Sequence, residues 1–169
     1  MTVPTSTVLG VTGWSGAGKT TLIAAVLPHL VAAGLRVSTV KHAHEGFDLD
    51  RPGKDSHRHR EAGAREVLLA SGRRWALLHE VEGAEPGLPE LLARLAPCDL
   101  VLVEGWKHDP FPKLEIHRPA LGKPPLWDSV PGIVAVASDA ALPDCPRPVL
   151  PLNDPVLIAA WMQQPRFQA

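Results

Sequence analysis

The feature that most constrains this chain is Gly13-Trp14-Ser15-Gly16-Ala17-Gly18-Lys19-Thr20, which satisfies G-x-x-x-x-G-K-[ST] at every fixed position. A short apolar run, Val8 to Thr12, precedes it and has the length of a buried strand. Leu22, Ile23, Val26, Leu27, Leu30 and Val31 follow it as one apolar stripe at helical spacing. Pro28 lies inside that stripe and predicts a lost backbone hydrogen bond and a kink, while Gly34 is placed to end the helix. A strand, a glycine turn and a helix in succession predict a loop wrapped around an anion. Glycines let successive N–H groups point inward, and the helix adds its positive N-terminal end. In such a loop Gly13, Trp14, Ser15, Gly16, Ala17 and Gly18 supply backbone donors. Lys19 reaches the outer phosphates of a nucleotide, Thr20 offers a hydroxyl to Mg2+, and Thr21 is within reach of the innermost phosphate.

Arg36 to Lys41 reads as a second strand, so the segment predicts a strand–helix–strand unit with a parallel pair. A short helix is expected around Ser56 to Ala62. Val67–Ala70 and Trp75–Leu78 read as two strands split by the turn Ser71–Arg74, and Leu88–Leu95 as a short helix. The unbroken apolar run Leu100–Val103 suits a central strand buried on both faces. Lys113–His117 alternates Leu114 and Ile116 with polar neighbours, as an edge or hairpin strand does. A proline-rich loop, Pro119–Pro131, then leads to another buried strand, Ile133–Ala137, and Asn153-Asp154-Pro155 opens a final helix. The expectation is a single α/β domain over residues 1–169. A mostly parallel central sheet is flanked by helices, with an extra β-hairpin or edge segment.

Bulk properties narrow the classes of function. A net charge of −1 gives no bulk attraction for nucleic acid or an anionic membrane. No stretch approaches the ~20 apolar residues of a membrane span, and the first residues lack the pattern of a secretory signal. Cys98 and Cys145 form neither a disulfide framework nor a C-x-x-C metal pair. A cytoplasmic protein is the expectation.

Proteins with this loop hold Mg2+ partly through an acid at the tip of a second buried strand, and Glu104 stands there after Val101-Leu102-Val103. Asp99, at the other end of that strand, is expected to be a cap or surface residue. The chain has no N-K-x-D run to read a guanine base. Asp139, just past the strand Ile133–Ala137, occupies about the right place, and Asn153-Asp154 is a second candidate that also suits a helix cap. His42, His44, His57 and His59 cluster in sequence, and H-x-H spacing puts two imidazoles on one face of an extended chain, but no third firm ligand accompanies them.

Several runs together resemble the molybdopterin-guanine dinucleotide biosynthesis adapter family, MobB. They are Val40-Lys41-His42-Ala43-His44, then Phe47-Asp48-Leu49-Asp50-Arg51-Pro52-Gly53-Lys54-Asp55-Ser56, and His59-Arg60-Glu61-Ala62-Gly63-Ala64. Val103-Glu104-Gly105-Trp106-Lys107 and Lys113-Leu114-Glu115-Ile116-His117-Arg118-Pro119 fit as well, so the resemblance spans roughly Val8 to Asp154. It implies a P-loop NTPase fold and a homodimeric GTP-binding protein with weak GTPase activity. Such a protein works beside the guanylyltransferase that joins GMP to molybdopterin. The run Glu104-Gly105 and Asp55 also look like dethiobiotin synthetase, where such acids hold Mg2+ and a lysine on the second strand contacts phosphate or substrate; Lys41 takes that position here. The resemblance therefore implies Thr20, Asp55 and Glu104 around Mg2+, with Lys19, Asp55 and Glu104 as the catalytic set. Lys41 is expected to sense the γ-phosphate or touch the pterin, and Asp48 and Asp50 to face a partner or the pterin. Arg58 and Arg60 are candidates for an arginine acting across a dimer. Two rivals remain: an ATP-dependent small-molecule enzyme of the dethiobiotin synthetase kind, and a nickel-type GTPase metallochaperone using His42 and His44.

Overall fold

A computed structural model describes residues 6–43 and 50–164. His44 and Asp48 lie outside the described residues. The chain forms two compact units, Met1–His42 with Leu95–Ala169, and Ala43–Arg94.

The first unit is built on a six-stranded sheet in which every pairing is parallel. Its strands are β1 (Thr7–Thr12), β2 (Val37–Lys41), β5 (Leu100–Glu104), β6 (Lys113–His117), β7 (Ile133–Ser138) and β8 (Val149–Pro151), in the order β2-β5-β1-β6-β7-β8. Helix α1 (Lys19–Ala32) connects β1 to β2 and runs through Pro28, and α4 (Pro155–Met162) follows β8. Helix α1 ends as the glycine predicts. Gly34 has φ +88°, its N–H donates to Val31, and the Leu35 N–H reaches back to Leu30, a double closure of the last turn.

Side chains alternate across a strand, so residues two apart share a face. Leu9 and Val11 of β1, Leu100 and Leu102 of β5, Leu114 and Ile116 of β6, and Ala135 and Ala137 of β7 all enter one core. Leu22, Ile23, Val26 and Leu30 of α1 and Ile158, Ala159, Trp161 and Met162 of α4 fill the same cluster. A second, smaller cluster of Leu126, Val130, Ile133 and Val136 takes in the loop after β6.

The continuous run of β5 is buried between β1 and β2, as expected of it. The expectation for Lys113–His117 is corrected: β6 is no edge strand but lies between β1 and β7, with all five residues buried. Hydrogen bonds offset the burial of Lys113 and of one oxygen of Glu115, and an aromatic contact covers His117. The Lys113 ammonium donates to the carbonyls of Asp109, Phe111 (3.0 Å) and Pro131 (2.9 Å), matching its three hydrogens. Glu115 Oε1 accepts the N–H of Leu126 at 2.8 Å, and the His117 ring stands edge-on to Trp127 at 5.6 Å. Burial pushes the Glu115 carboxyl up and the His117 imidazole and Lys113 ammonium down from their ordinary values.

The second unit holds α2 (Asp55–Glu61), the hairpin β3 (Glu66–Ala70) and β4 (Trp75–His79), and α3 (Leu88–Leu92). The strands β3 and β4 pair antiparallel as a separate two-stranded sheet, the expected hairpin.

Candidate functional site

The alternation that builds the core also builds the site. On β5 the sequence Leu100, Leu102, Glu104 stays on one face, so the first residue beyond the apolar layer is Glu104, beside the start of α1. The same step of two leads from Val37 of β2 to Lys41, from Leu114 and Ile116 to Arg118, and from Ala135 and Ala137 to Asp139. All four polar residues stand at the carboxyl ends of parallel strands, where open α/β sheets bind ligands.

The turn from Gly13 to Gly18 curls as the motif requires. Gly13, Gly16 and Gly18 have φ of +147°, +81° and +100°. At Gly13 a Cβ would also lie 2.6 Å from the carbonyl oxygen of Ile116, so the close approach of β6 forbids any side chain. Gly18 is the left-handed N-cap of α1, with Lys19 the first helical residue, and no side chain caps that helix end. The Lys19 ammonium donates to the carbonyls of Gly13 (3.0 Å) and Trp14 (3.1 Å). Burial lowers its pKa from the ordinary lysine value; Glu104 pulls it back up and Lys41 adds to the lowering.

Thr20 Oγ1 donates to Glu104 at 3.2 Å, and the Lys41 ammonium stands 3.5 Å from that hydroxyl and 3.8 Å from Glu104 Oε2. The register explains the meeting, because Lys41, Glu104 and Val11 are direct neighbours across the sheet. Gly16, Gly18, Lys19, Thr20, Thr21 and Glu104, with Ser15, line a cavity of about 350 Å3. The Lys19 ammonium, the Lys41 ammonium beside Thr20 and Glu104, and a helix N-terminus make it suited to a polyanion. A hydroxyl and a carboxylate side by side are hard oxygen donors of the kind Mg2+ takes.

Arg118 was not anticipated as a site residue. Its Nε donates to the carbonyl of Ala17 in the loop at 3.0 Å, and its Nη1 meets Asp139 Oδ2 at 2.5 Å. Asp139 is therefore engaged by a guanidinium in the unit as it stands. Stepping two residues along the core face of β6 would have found Arg118 from the sequence. Asp154 is the N-cap of α4 and accepts the N–H of Leu157 at 2.9 Å, which matches its cap reading. Trp14 is tied outward, its Nε1 donating to the carbonyl of Pro124 at 2.8 Å.

Within the second unit, Asp55 is the first residue of α2, where a carboxylate complements the helix end. Asp50, Lys54, Asp55, Ser56 and His59 line an open hollow of about 520 Å3 against β3. Asp50 accepts the Ser56 hydroxyl at 2.6 Å, and Arg60 pairs with Glu80 at 3.3 Å and stands 3.9 Å from Asp50. Arg58 is exposed, and His57 lies 3.2 Å from Glu61 one turn on. Among the described residues no three His, Cys, Asp or Glu side chains stand together as metal ligands, and the His42 ring packs against Trp106 at 4.9 Å. Among the described residues no helix is long and apolar enough to cross a membrane.

A family profile described as molybdopterin guanine dinucleotide synthesis protein B, MobB, matches residues 8–139. The molybdopterin-guanine dinucleotide biosynthesis adapter protein of Haemophilus influenzae is 41% identical over 159 residues, covering 92% of this chain and 86% of its own. The adapter protein of the same name from Escherichia coli is 38% identical over 164 residues, with coverage of 92% and 93%. The crystal structure of a MobB protein homolog from Bacillus stearothermophilus superposes with a TM-score of 0.67 at 27% identity, covering 92% of this chain and 94% of that one. With the P-loop sheet, its extra hairpin and these relatives in agreement, the chain belongs to the MobB family.

Proposed function

We propose that this chain is an adapter in molybdenum cofactor assembly that binds GTP with Mg2+ at the loop Gly13–Thr21 and supports the making of molybdopterin guanine dinucleotide by a separate guanylyltransferase. One observation carries the nucleotide part: Lys19, Thr20, Lys41 and Glu104 converge at the N-terminus of α1, around a cavity floored by loop backbone. The adapter part follows from the family and from relatives that carry that name.

In this reading the N–H groups of Gly16, Gly18 and Lys19 cradle the phosphates, and Lys19 moves from the carbonyls of Gly13 and Trp14 to the outer phosphates. Thr20 and Glu104 would hold the metal, with Asp55 added on the strength of the resemblance. When bound, Mg2+ neutralises charge on the outer phosphates. Lys41 approaches the same oxygens and balances Glu104. Positioning and charge do most of the work in this class, and hydrolysis stays slow without an arginine supplied across an interface. Arg58 is the better candidate for that role, since Arg60 is already paired with Glu80.

A homodimer fits the second unit. Leu68 pairs with Leu77 and Ala70 with Trp75 across the hairpin, so these residues share one face, and Trp75, Leu68 and Leu77 are 69%, 61% and 42% exposed. An isolated two-stranded hairpin is marginal alone, and an apolar face of this kind marks a contact surface. Sedimentation should find a dimer that Trp75→Glu with Leu68→Glu converts to monomer.

The test of function mixes the protein with a purified guanylyltransferase, molybdopterin and Mg2+·GTP, and follows dinucleotide formation. Stimulation that Lys19→Ala abolishes supports the reading. No stimulation, combined with preference for ATP, sinks it.

A further inference from the structure

We infer that Arg118 is a positioning residue for the phosphate cradle, and that Asp139 acts on the cradle through it. The inference rests on the nucleotide-binding reading of the Gly13–Thr21 loop. It adds a second route from the sheet to that loop, separate from Glu104 and Lys41.

Arg118 is the first polar residue past the core face of β6, and Asp139 the first past that of β7. Between them the guanidinium spans two anchors. It donates Nε to Ala17 at 3.0 Å and Nη1 to Asp139 at 2.5 Å, with a third nitrogen, Nη2, beside Gly18, 3.7 Å from where a Cβ would sit. In a planar trans peptide the carbonyl and the next N–H point to opposite sides. Fixing the Ala17 carbonyl therefore fixes the direction of the Gly18 N–H, and Gly18 lines the cavity. Gly18 needs such a fixture. Its φ of +100° is one that only glycine adopts freely, and a glycine left alone samples many others. The bond is charge-assisted, about twice as strong as a neutral one.

Asp139 holds the other end of the guanidinium. The Arg118 side chain is 34% exposed, so without that carboxylate it is free to turn to water and release Ala17. A lysine would not replace it, because one ammonium lacks the rigid fork that bridges two separate acceptors. A base that draws on Asp139 therefore also acts on the loop that holds its phosphates.

The test measures dissociation constants of the full chain for Mg2+·GTP and for Mg2+·tripolyphosphate, which has no base. Arg118→Ala, Arg118→Lys, Asp139→Ala and the double Ala variant are compared. Arg118→Ala should weaken both ligands by about ten- to a hundredfold, the range a charged hydrogen bond carries. Arg118→Lys should recover only part of the loss. Asp139→Ala should also weaken tripolyphosphate, and should add nothing once Arg118 is gone. Tripolyphosphate affinity unchanged in Arg118→Ala or in Asp139→Ala overturns the inference, since either residue then serves the nucleoside or the fold alone. A wild-type chain that binds neither ligand overturns the nucleotide reading itself, and the inference with it.

Discussion

Gly105 offers a sharp test of how the sheet presents the site. It follows Glu104 directly, with φ +118°, and a Cβ there would lie 2.4 Å from the Cβ of His42. That atom is next to the backbone at the end of β2, where the His42 N–H donates to the Glu104 carbonyl at 2.8 Å, so it cannot swing aside. Trp106, next in the chain, already has φ +44°, so the turn has little slack to absorb a shift. Gly105→Ala should suffer twice. The left-handed backbone costs about 1–2 kcal/mol for any residue with a Cβ, and forced overpacking roughly 1–3 kcal/mol more. The expected loss is therefore about 2–5 kcal/mol, a large part of the ~5–15 kcal/mol that usually stabilises a domain. Gly34→Ala is the control, because Gly34 has φ +88° with no atom near its Cβ position, and should lose only the backbone part. Urea unfolding gives both values from midpoints at unchanged slope. His42→Gly removes the opposing atom, so in a double-mutant cycle it should return roughly 1–3 kcal/mol to Gly105→Ala. Equal losses in the two alanine variants, or no coupling with His42, would refute the reasoning.

Two further predictions concern charge. The Glu115 carboxyl is pushed up by burial, against the pull of the Leu126 and Trp127 N–H groups. Its folded pKa lies above the unfolded one, so its contribution is full below about 4.3, the ordinary Glu value, and is lost as pH rises through the raised folded value. Wild-type stability should therefore decline relative to Glu115→Gln across that window, and a constant difference between them in urea midpoints contradicts the assignment. At the opposite strand ends, the Arg36 guanidinium and backbone N–H hold the Asp99 carboxyl down at about 2. That contribution is present above the unfolded carboxylate range and is lost as pH falls toward the folded value. NMR titration should place the Asp99 midpoint near there and should show it rising in Arg36→Gln.

The loop and Glu104 were legible because their logic is local. A fixed pattern in a strand-to-helix setting, and an acid closing an apolar run, need no knowledge of distant residues. Lys113, Glu115 and His117 were misleading for the opposite reason. Their partners, the carbonyl of Pro131, the N–H of Leu126 and the ring of Trp127, come from a loop that folds back from later in the chain. A polar residue every second position then imitates a solvent face although the strand is central. Strand β8 escaped notice because Val149–Pro151 is three residues long and set among prolines. Arg118 lay in plain view as the continuation of Leu114 and Ile116, but its worth appears only when Ala17 and Asp139 arrive beside it.

In the proposed function, Lys41, Glu104, Arg118 and Asp139, at the carboxyl ends of β2, β5, β6 and β7, surround a nucleotide with its metal. Calorimetric titration of the chain with GTP and with ATP, with and without Mg2+, alongside Lys19→Ala and Glu104→Gln, decides whether they do. GTP should bind more tightly than ATP, binding should be lost in Lys19→Ala, and the Mg2+ enhancement should be lost in Glu104→Gln. GTP binding that is indifferent to all three of Lys19, Glu104 and Mg2+ would contradict the proposed function.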